Sequence, residues 1–238
     1  MKNIALLLNF IQKSQNRKIK HTESLPQSNA GFTLIELIVV VVMVGVLATI
    51  AAPSWLTFLN QRRASATNDF IFRQLQEAQN QAKKTKLSYS FSFKVEGDTP
   101  FVAVHRRDNA SPQWQSLGKE LGIKPGQVIL GSNITTSTDG SVSKENNASS
   151  SLIYSTSGNA PVRTITFDYL GSLPPESDLD GNNNGTSEGL IIVTAVPRGS
   201  SSKEAIPSTR RCVKVSTLLG SIQTGRKISE SGEVQCLP

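Results

Sequence analysis

From residue 37 to residue 61 the chain carries no charged side chain, and residues 34–52 are apolar except for Glu36, Gly45 and Thr49. An apolar run of about 20 residues matches the hydrocarbon thickness of a bilayer when wound as a helix. A buried core helix is the competing explanation, but helices of soluble cores seldom stay free of charge for so long. The run therefore predicts one transmembrane helix, and the rest of the 238 residues suffice for a single exported domain.

Charge is distributed to suit that arrangement. The chain has a formal net charge of +7, of which residues 1–31 supply +4 through Lys2, Lys13, Arg17, Lys18 and Lys20 against Glu23. Basic residues ahead of a span hold the N-terminus in the cytoplasm and send the remainder outward. A basic balance in a soluble chain would point to nucleic acid, but here much of it belongs to a leader. Residues 1–31 do not form a secretory signal peptide, because the main apolar stretch follows the expected cut instead of preceding it. Both cysteines, Cys212 and Cys236, fall in the exported part. An even pair in an oxidising compartment reads as a disulfide, closing a loop worth roughly 3 kcal/mol in the chain-entropy model. Two cysteines without nearby histidines cannot complete a zinc site.

Past Arg62 and Arg63 the periodicity becomes that of an amphipathic helix, with Thr67, Ile71, Leu75, Ala78 and Ala82 forming a stripe. Pro53 predicts a kink or local unwinding. The period then drops to two: Leu87, Tyr89, Phe91, Phe93 and Val95 alternate with Ser88, Ser90, Ser92 and Lys94, a strand signature. A turn at residues 97–100 leads to a return strand at 101–104. Further strands are predicted at 128–130, 152–155, 164–169, 190–196 and 212–216, with Ser/Thr/Asn-rich segments 132–151 and 200–208 as exposed loops. No helical pattern follows to supply crossovers, so the sheet is expected to be antiparallel. The fold class is α+β: a long N-terminal helix, membrane-spanning in its first half, packed on an antiparallel β head. Its parts are a leader (1–31), a span (32–60), an amphipathic continuation (61–86) and a β-rich head (87–238).

The junction of leader and span reads Gly31-Phe32-Thr33-Leu34-Ile35-Glu36-Leu37. It resembles the prepilin signal shared by type IV pilins and type II secretion pseudopilins. Farther on, Thr164-Ile165-Thr166-Phe167-Asp168-Tyr169-Leu170-Gly171 and Arg210-Arg211-Cys212-Val213-Lys214-Val215-Ser216 look like the head of the GspH/FimT family of minor pseudopilins. The resemblance implies cleavage between Gly31 and Phe32 by a prepilin peptidase, then methylation of the Phe32 amino group. It also implies assembly with other pilins from the inner membrane into a periplasmic or surface filament. In that family a carboxylate at the position of Glu36 pairs with the N-terminal amine of a neighbouring subunit. Burying an unpaired carboxylate in hydrocarbon costs about 2.5–3.5 kcal/mol. For an isolated monomer, solvation of Glu36 by headgroups is the alternative.

Two further patterns are weighed against plainer explanations. Asp180, Asn182 and Asn184 match positions 1, 3 and 5 of a calcium loop with Glu188 at position 9, but position 12 is Ile191 where a bidentate glutamate is needed. A polar turn accounts for the segment; calcium is the alternative. Arg210, Arg211, Lys214, Arg226 and Lys227 make the C-terminal region basic. Some members of the FimT branch bind DNA through C-terminal basic residues, although Ile228 stands here where their element carries a second arginine. A few phosphate contacts would give salt-sensitive binding, and an ordinary solvated surface is the alternative. Trp114 is expected in the core or at an interface. His21 lies in the leader and His105 stands beside Arg106 and Arg107 without a nucleophile partner in the sequence, so no enzyme and no cofactor are expected.

Overall fold

The computed structural model describes residues 31–109, 111–135, 146–155, 161–180, 189–199, 204–229 and 235–237. Residues 1–30 of the leader, and Asn182, Asn184 and Glu188 of the possible calcium loop, lie outside them. The chain divides into two compact units, Met1–Ile50 and Ala51–Pro238.

Helix α1 (Leu34–Thr85) carries the chain from the first unit into the second. Its start is fixed locally: Thr33 is the N-cap, its Oγ accepting the Glu36 amide at 3.2 Å. A threonine followed three residues later by glutamate is the capping-box pattern. Its end is set by Lys86, which takes a left-handed φ of 60° and whose amide donates to the Ala82 carbonyl; Lys83 and Lys84 in the last turn complement the helix dipole. The helix continues through Pro53, although that residue has no N–H to offer the Thr49 carbonyl. In the first unit every described residue is exposed, and one 18-residue window of α1 has a mean hydropathy of 2.8 with nothing buried. It is one helix long and apolar enough to cross a membrane.

In the second unit the same helix behaves differently. Ala64, Thr67, Asn68, Ile71, Leu75, Ala78 and Ala82 are buried, the stripe that the spacing predicts, with Ala64 and Asn68 added. It packs on two antiparallel sheets. The first has the order β3-β2-β1-β6, made of β1 (Tyr89–Glu96), β2 (Thr99–Arg106), β3 (Gln115–Ser116) and β6 (Arg163–Phe167). The second has the order β5-β4-β7-β8-β9, made of β4 (Ile129–Ile134), β5 (Ala148–Ser155), β7 (Leu190–Ala195), β8 (Arg211–Val215) and β9 (Ile222–Gly225). A hairpin of β10 (Lys227–Ser229) and β11 (Gln235–Leu237) completes the fold, and α2 (Leu117–Leu121) is a short helix leaving β3. Phe91, Phe93 and Phe167 from the first sheet and Leu130, Ile192 and Val213 from the second share one core with Ile71 and Leu75 of α1. The α+β class and the antiparallel pairing stand as the sequence implies; the division into two sheets was not legible there.

The β1–β2 connection is a two-residue turn with positive φ at both Gly97 (54°) and Asp98 (61°). That is the geometry matching strand twist in tight hairpins; Thr99 and Pro100 already belong to β2.

The segment read as an exposed loop over 132–151 is corrected. Residues 132–134 close β4 and 148–151 open β5, with Ser132, Asn133 and Asn146 buried. Two asparagine side chains explain how so polar a stretch is buried. The Asn133 amide nitrogen donates to the Gly189 carbonyl (2.9 Å) while its oxygen accepts the Ile191 amide (2.7 Å). Asn146 does the same on β6, donating to the Thr166 carbonyl and accepting the Thr166 amide, each at 2.8 Å. Each side-chain amide thus stands in for a strand backbone and satisfies groups that would be costly to leave unpaired. In 200–208, also read as loop, Ala205 is buried and bridges Pro197, and a 3-10 turn follows at Pro207–Thr209.

Candidate functional site

The N-terminal segment is built from a short run of local facts. Gly31 and Phe32 precede the helix, and both are exposed. A Cβ at Gly31 would meet nothing within 4 Å, so nothing in the described chain requires glycine there. Glu36 sits in the first helical turn, where a carboxylate complements the exposed amides of the helix start. Its backbone is held by Thr33, and no ion pair to Glu36 occurs among the described residues. The Thr-x-x-Glu spacing by itself carries the capping role of Thr33.

Within the apolar run the hydroxyls are turned inward to the helix backbone. Thr49 donates to the Val46 carbonyl (2.7 Å), Ser54 to Ala51 (2.8 Å) and Thr57 to Pro53 (3.1 Å). Such back-bonding removes the cost of presenting a hydroxyl to hydrocarbon.

The C-terminal basic residues are only partly brought together. Cys212 on β8 pairs with Gly225 on β9, which sets Arg211 and Arg226 side by side at the end of that ladder. Burial, and then the charge of Arg226, push the Arg211 guanidinium below its ordinary range. Arg211 donates to the Arg210 carbonyl (2.7 Å) and the Ser208 carbonyl (3.3 Å), which fixes its fork. Lys214 lies an odd number of residues along β8 from Arg211, so strand alternation puts it on the opposite face. Lys227 starts β10. Cys212 and Cys236 form the expected disulfide, with 5.9 Å between their Cα atoms. It fastens the β10–β11 hairpin against Gly225, where a Cβ would collide with the Leu237 carbonyl at 2.4 Å. The glycine preceding Arg226 thus has a packing reason of its own.

His105 is hydrogen-bonded through both ring nitrogens. It has a hydroxyl neighbour: its Nε2 lies 2.9 Å from Ser92 Oγ, and its Nδ1 lies 2.7 Å from the Arg106 carbonyl. A carbonyl only accepts, so Nδ1 carries a proton there. Ser92 in turn touches Thr164 Oγ1 at 2.7 Å, and Ser90 touches Thr166 Oγ1 at 2.9 Å. Ser92 is fully buried and His105 nearly so. A nucleophile has to reach its substrate; this chain of hydroxyls instead satisfies the polar side of the first sheet. The serines at alternate positions of β1 look solvent-facing in sequence, yet both faces of that strand are covered.

Other features missed in the sequence are structural. Arg163, nearly fully buried, donates to the Ile134 carbonyl (3.2 Å) and to Ser155 Oγ (2.6 Å), tying β6 to the second sheet. Burial pushes its guanidinium below the usual range. Gln79 of α1 reaches the Gly171 and Gly220 carbonyls at 2.7 and 2.8 Å. Trp114 is half-buried under the Lys94 ammonium, 4.8 Å from its ring centre, and is not part of the core. Two open clefts of about 430 and 560 Å³ share Arg106 and Asp108 in their walls, and these two residues pair with each other at 2.6 Å. Among the described residues no group of histidine, cysteine and acidic side chains could hold a metal ion.

The family model described as the prokaryotic N-terminal methylation motif matches residues 26–52. That match, which takes in the end of the leader, Gly31, Phe32, Glu36 and the apolar run, marks a type IV pilin-like prepilin of the kind processed by prepilin peptidase. No curated protein and no solved structure gives a significant match to the chain.

Proposed function

We propose that this chain is a minor pilin or pseudopilin of the GspH/FimT type, a structural, non-enzymatic subunit of a type IV pilus-like or type II secretion filament. Prepilin peptidase cuts between Gly31 and Phe32, and the new Phe32 amino group is methylated. The observation that carries the reading is a methylation motif running into a helix whose apolar residues are exposed throughout residues 31–58. Such a surface is stable only in lipid or against other apolar helices. The unconstrained space around Gly31 supports a requirement for glycine imposed from outside, by the active site that cleaves there. Glu36, with no ion pair among the described residues, is left to pair with the amine of an adjacent subunit. The basic leader places the N-terminus in the cytoplasm and the head outside the inner membrane. N-terminal sequencing and mass measurement of membrane-extracted protein test this: a chain starting at methylated Phe32 is expected, and one starting at Met1 overturns it.

A second reading, a minor pilin that binds DNA, is favoured by the juxtaposition of Arg211 and Arg226, two guanidiniums whose mutual repulsion a phosphate would relieve. Arg210 and Lys227 flank them in sequence; Lys214, on the other face of β8, would contribute little. A gel shift with the folded protein that falls as salt rises is expected under this reading, and no shift at low salt removes it.

A further inference from the structure

The apolar run has a far end as well as a start, and the side chains there are of a particular kind. Trp55, Phe58 and Arg62 follow one another at spacings of three and four, which places them on one face of α1. The rings of Trp55 and Phe58 lie 5.8 Å apart. The Arg62 guanidinium sits 5.1 Å from the centre of the Phe58 ring. Trp55 is 61% exposed and Phe58 44%, so the head does not cover them. Among the described residues Arg62 and Arg63 have no acidic partner; Arg63 donates only to Asn60 Oδ1, at 3.2 Å. Arg62 is the first charge after Glu36. About 20 residues of helix span the hydrocarbon, and counted from Leu37 they end beside Trp55 and Leu56.

We propose that Trp55, Phe58 and Arg62 form the contact with phospholipid headgroups at the far membrane surface and so set how deep the helix sits. The proposal rests on the membrane-span reading of the apolar run. Indole and phenyl rings favour the headgroup layer, where one edge is wet and the face is apolar. A guanidinium lying over the ring just beyond it is positioned for lipid phosphate, with its stem along the apolar surface. Charge complementarity selects the occupant: an unpaired cation bordering exposed aromatics suits an anionic headgroup, whereas another apolar helix would leave that cation unpaired. Ser54 and Thr57, within the same turns, are bonded to the helix backbone and compete little for that layer.

The test exploits the chain's two tryptophans. Trp114→Phe leaves Trp55 as the sole reporter in the full chain, reconstituted in phosphatidylglycerol–phosphatidylethanolamine vesicles carrying acyl bromines near the carbonyl or near the bilayer centre. Trp55 should lose most of its emission to the shallow bromines and little to the deep ones. Arg62→Gln should shift that loss toward the deep set. Stronger quenching from the deep set in the parent, or a depth profile unmoved by Arg62→Gln, overturns the proposal. So does an unquenched Trp55 in protein that floats with the vesicles, since a protein partner then covers the ring. Protein that fails to float at all refutes the membrane span itself, a separate failure.

Discussion

Helix α1 is one run of hydrogen-bonded backbone with two kinds of surface. Residues 34–58 expose apolar side chains on every side, with Leu34 at 78% and Leu47 at 66% exposure. Between Ala64 and Ala82 only one stripe is buried, and Asp69, Arg73, Glu77 and Asn80 occupy the exposed side. The backbone satisfies itself in both halves; only the side chains record what surrounds the helix. An all-round apolar surface needs lipid or other helices, whereas a stripe needs one packed layer. The head's sheets supply that layer through Phe91, Phe93 and Val213.

The contrast can be attacked from both halves. The largest effect is expected at Glu36: Glu36→Leu should insert and be cleaved normally yet leave the chain out of sheared filaments. Recovery of the variant in filaments at the parental level removes the pairing role. Next comes the packed half. Leu75→Ala should cost about 2–5 kcal/mol, read as a lower denaturation midpoint of the detergent-solubilised chain, whereas Val41→Ala in the exposed half should leave that midpoint unmoved. Equal shifts would mean that the two halves do not differ as described. Reduction of Cys212–Cys236 should also lower that midpoint, corresponding to a stability loss of roughly 3 kcal/mol in the chain-entropy model. Asn146→Ala strands the Thr166 amide and carbonyl and should cost about 1–3 kcal/mol, with faster hydrogen exchange at the Thr166 amide as its signature. Unchanged exchange there argues against the amide acting as a surrogate strand. The smallest effect belongs to the exposed pair Arg106–Asp108: Asp108→Asn should change stability by no more than about 1 kcal/mol, and a larger loss would show that the clefts beside it are structural.

The two halves also differ in how far they can be read from sequence. The apolar run and the stripe at Thr67, Ile71, Leu75, Ala78 and Ala82 follow from periodicity, because each residue's exposure there depends on its own helix; the alternation of β1 marks the strand but not the burial of Ser90 and Ser92. The hairpin at Gly97 and Asp98 is equally local. Asn133, Asn146 and Arg163 are different. Polar side chains in Ser/Thr-rich surroundings look like loop until strands distant in the chain arrive to bond them. Ser92 and His105 likewise look unrelated until the β1–β2 pairing brings His105 opposite Ser90, two positions from Ser92 on the same face of the strand.

Sequence alone determined the methylation motif, a helix long and apolar enough to cross a membrane, the α+β class and the cysteine pair, since length, charge and period act through near neighbours along the chain. Tertiary structure alone decided the split into two sheets, the burial of the asparagines, and which arginines meet. Arg211 and Arg226 become neighbours through the pairing of Cys212 with Gly225, while the same strand's alternation turns Lys214 away. Register between strands far apart in the chain is settled by which faces they bury against one another, and so only when they meet.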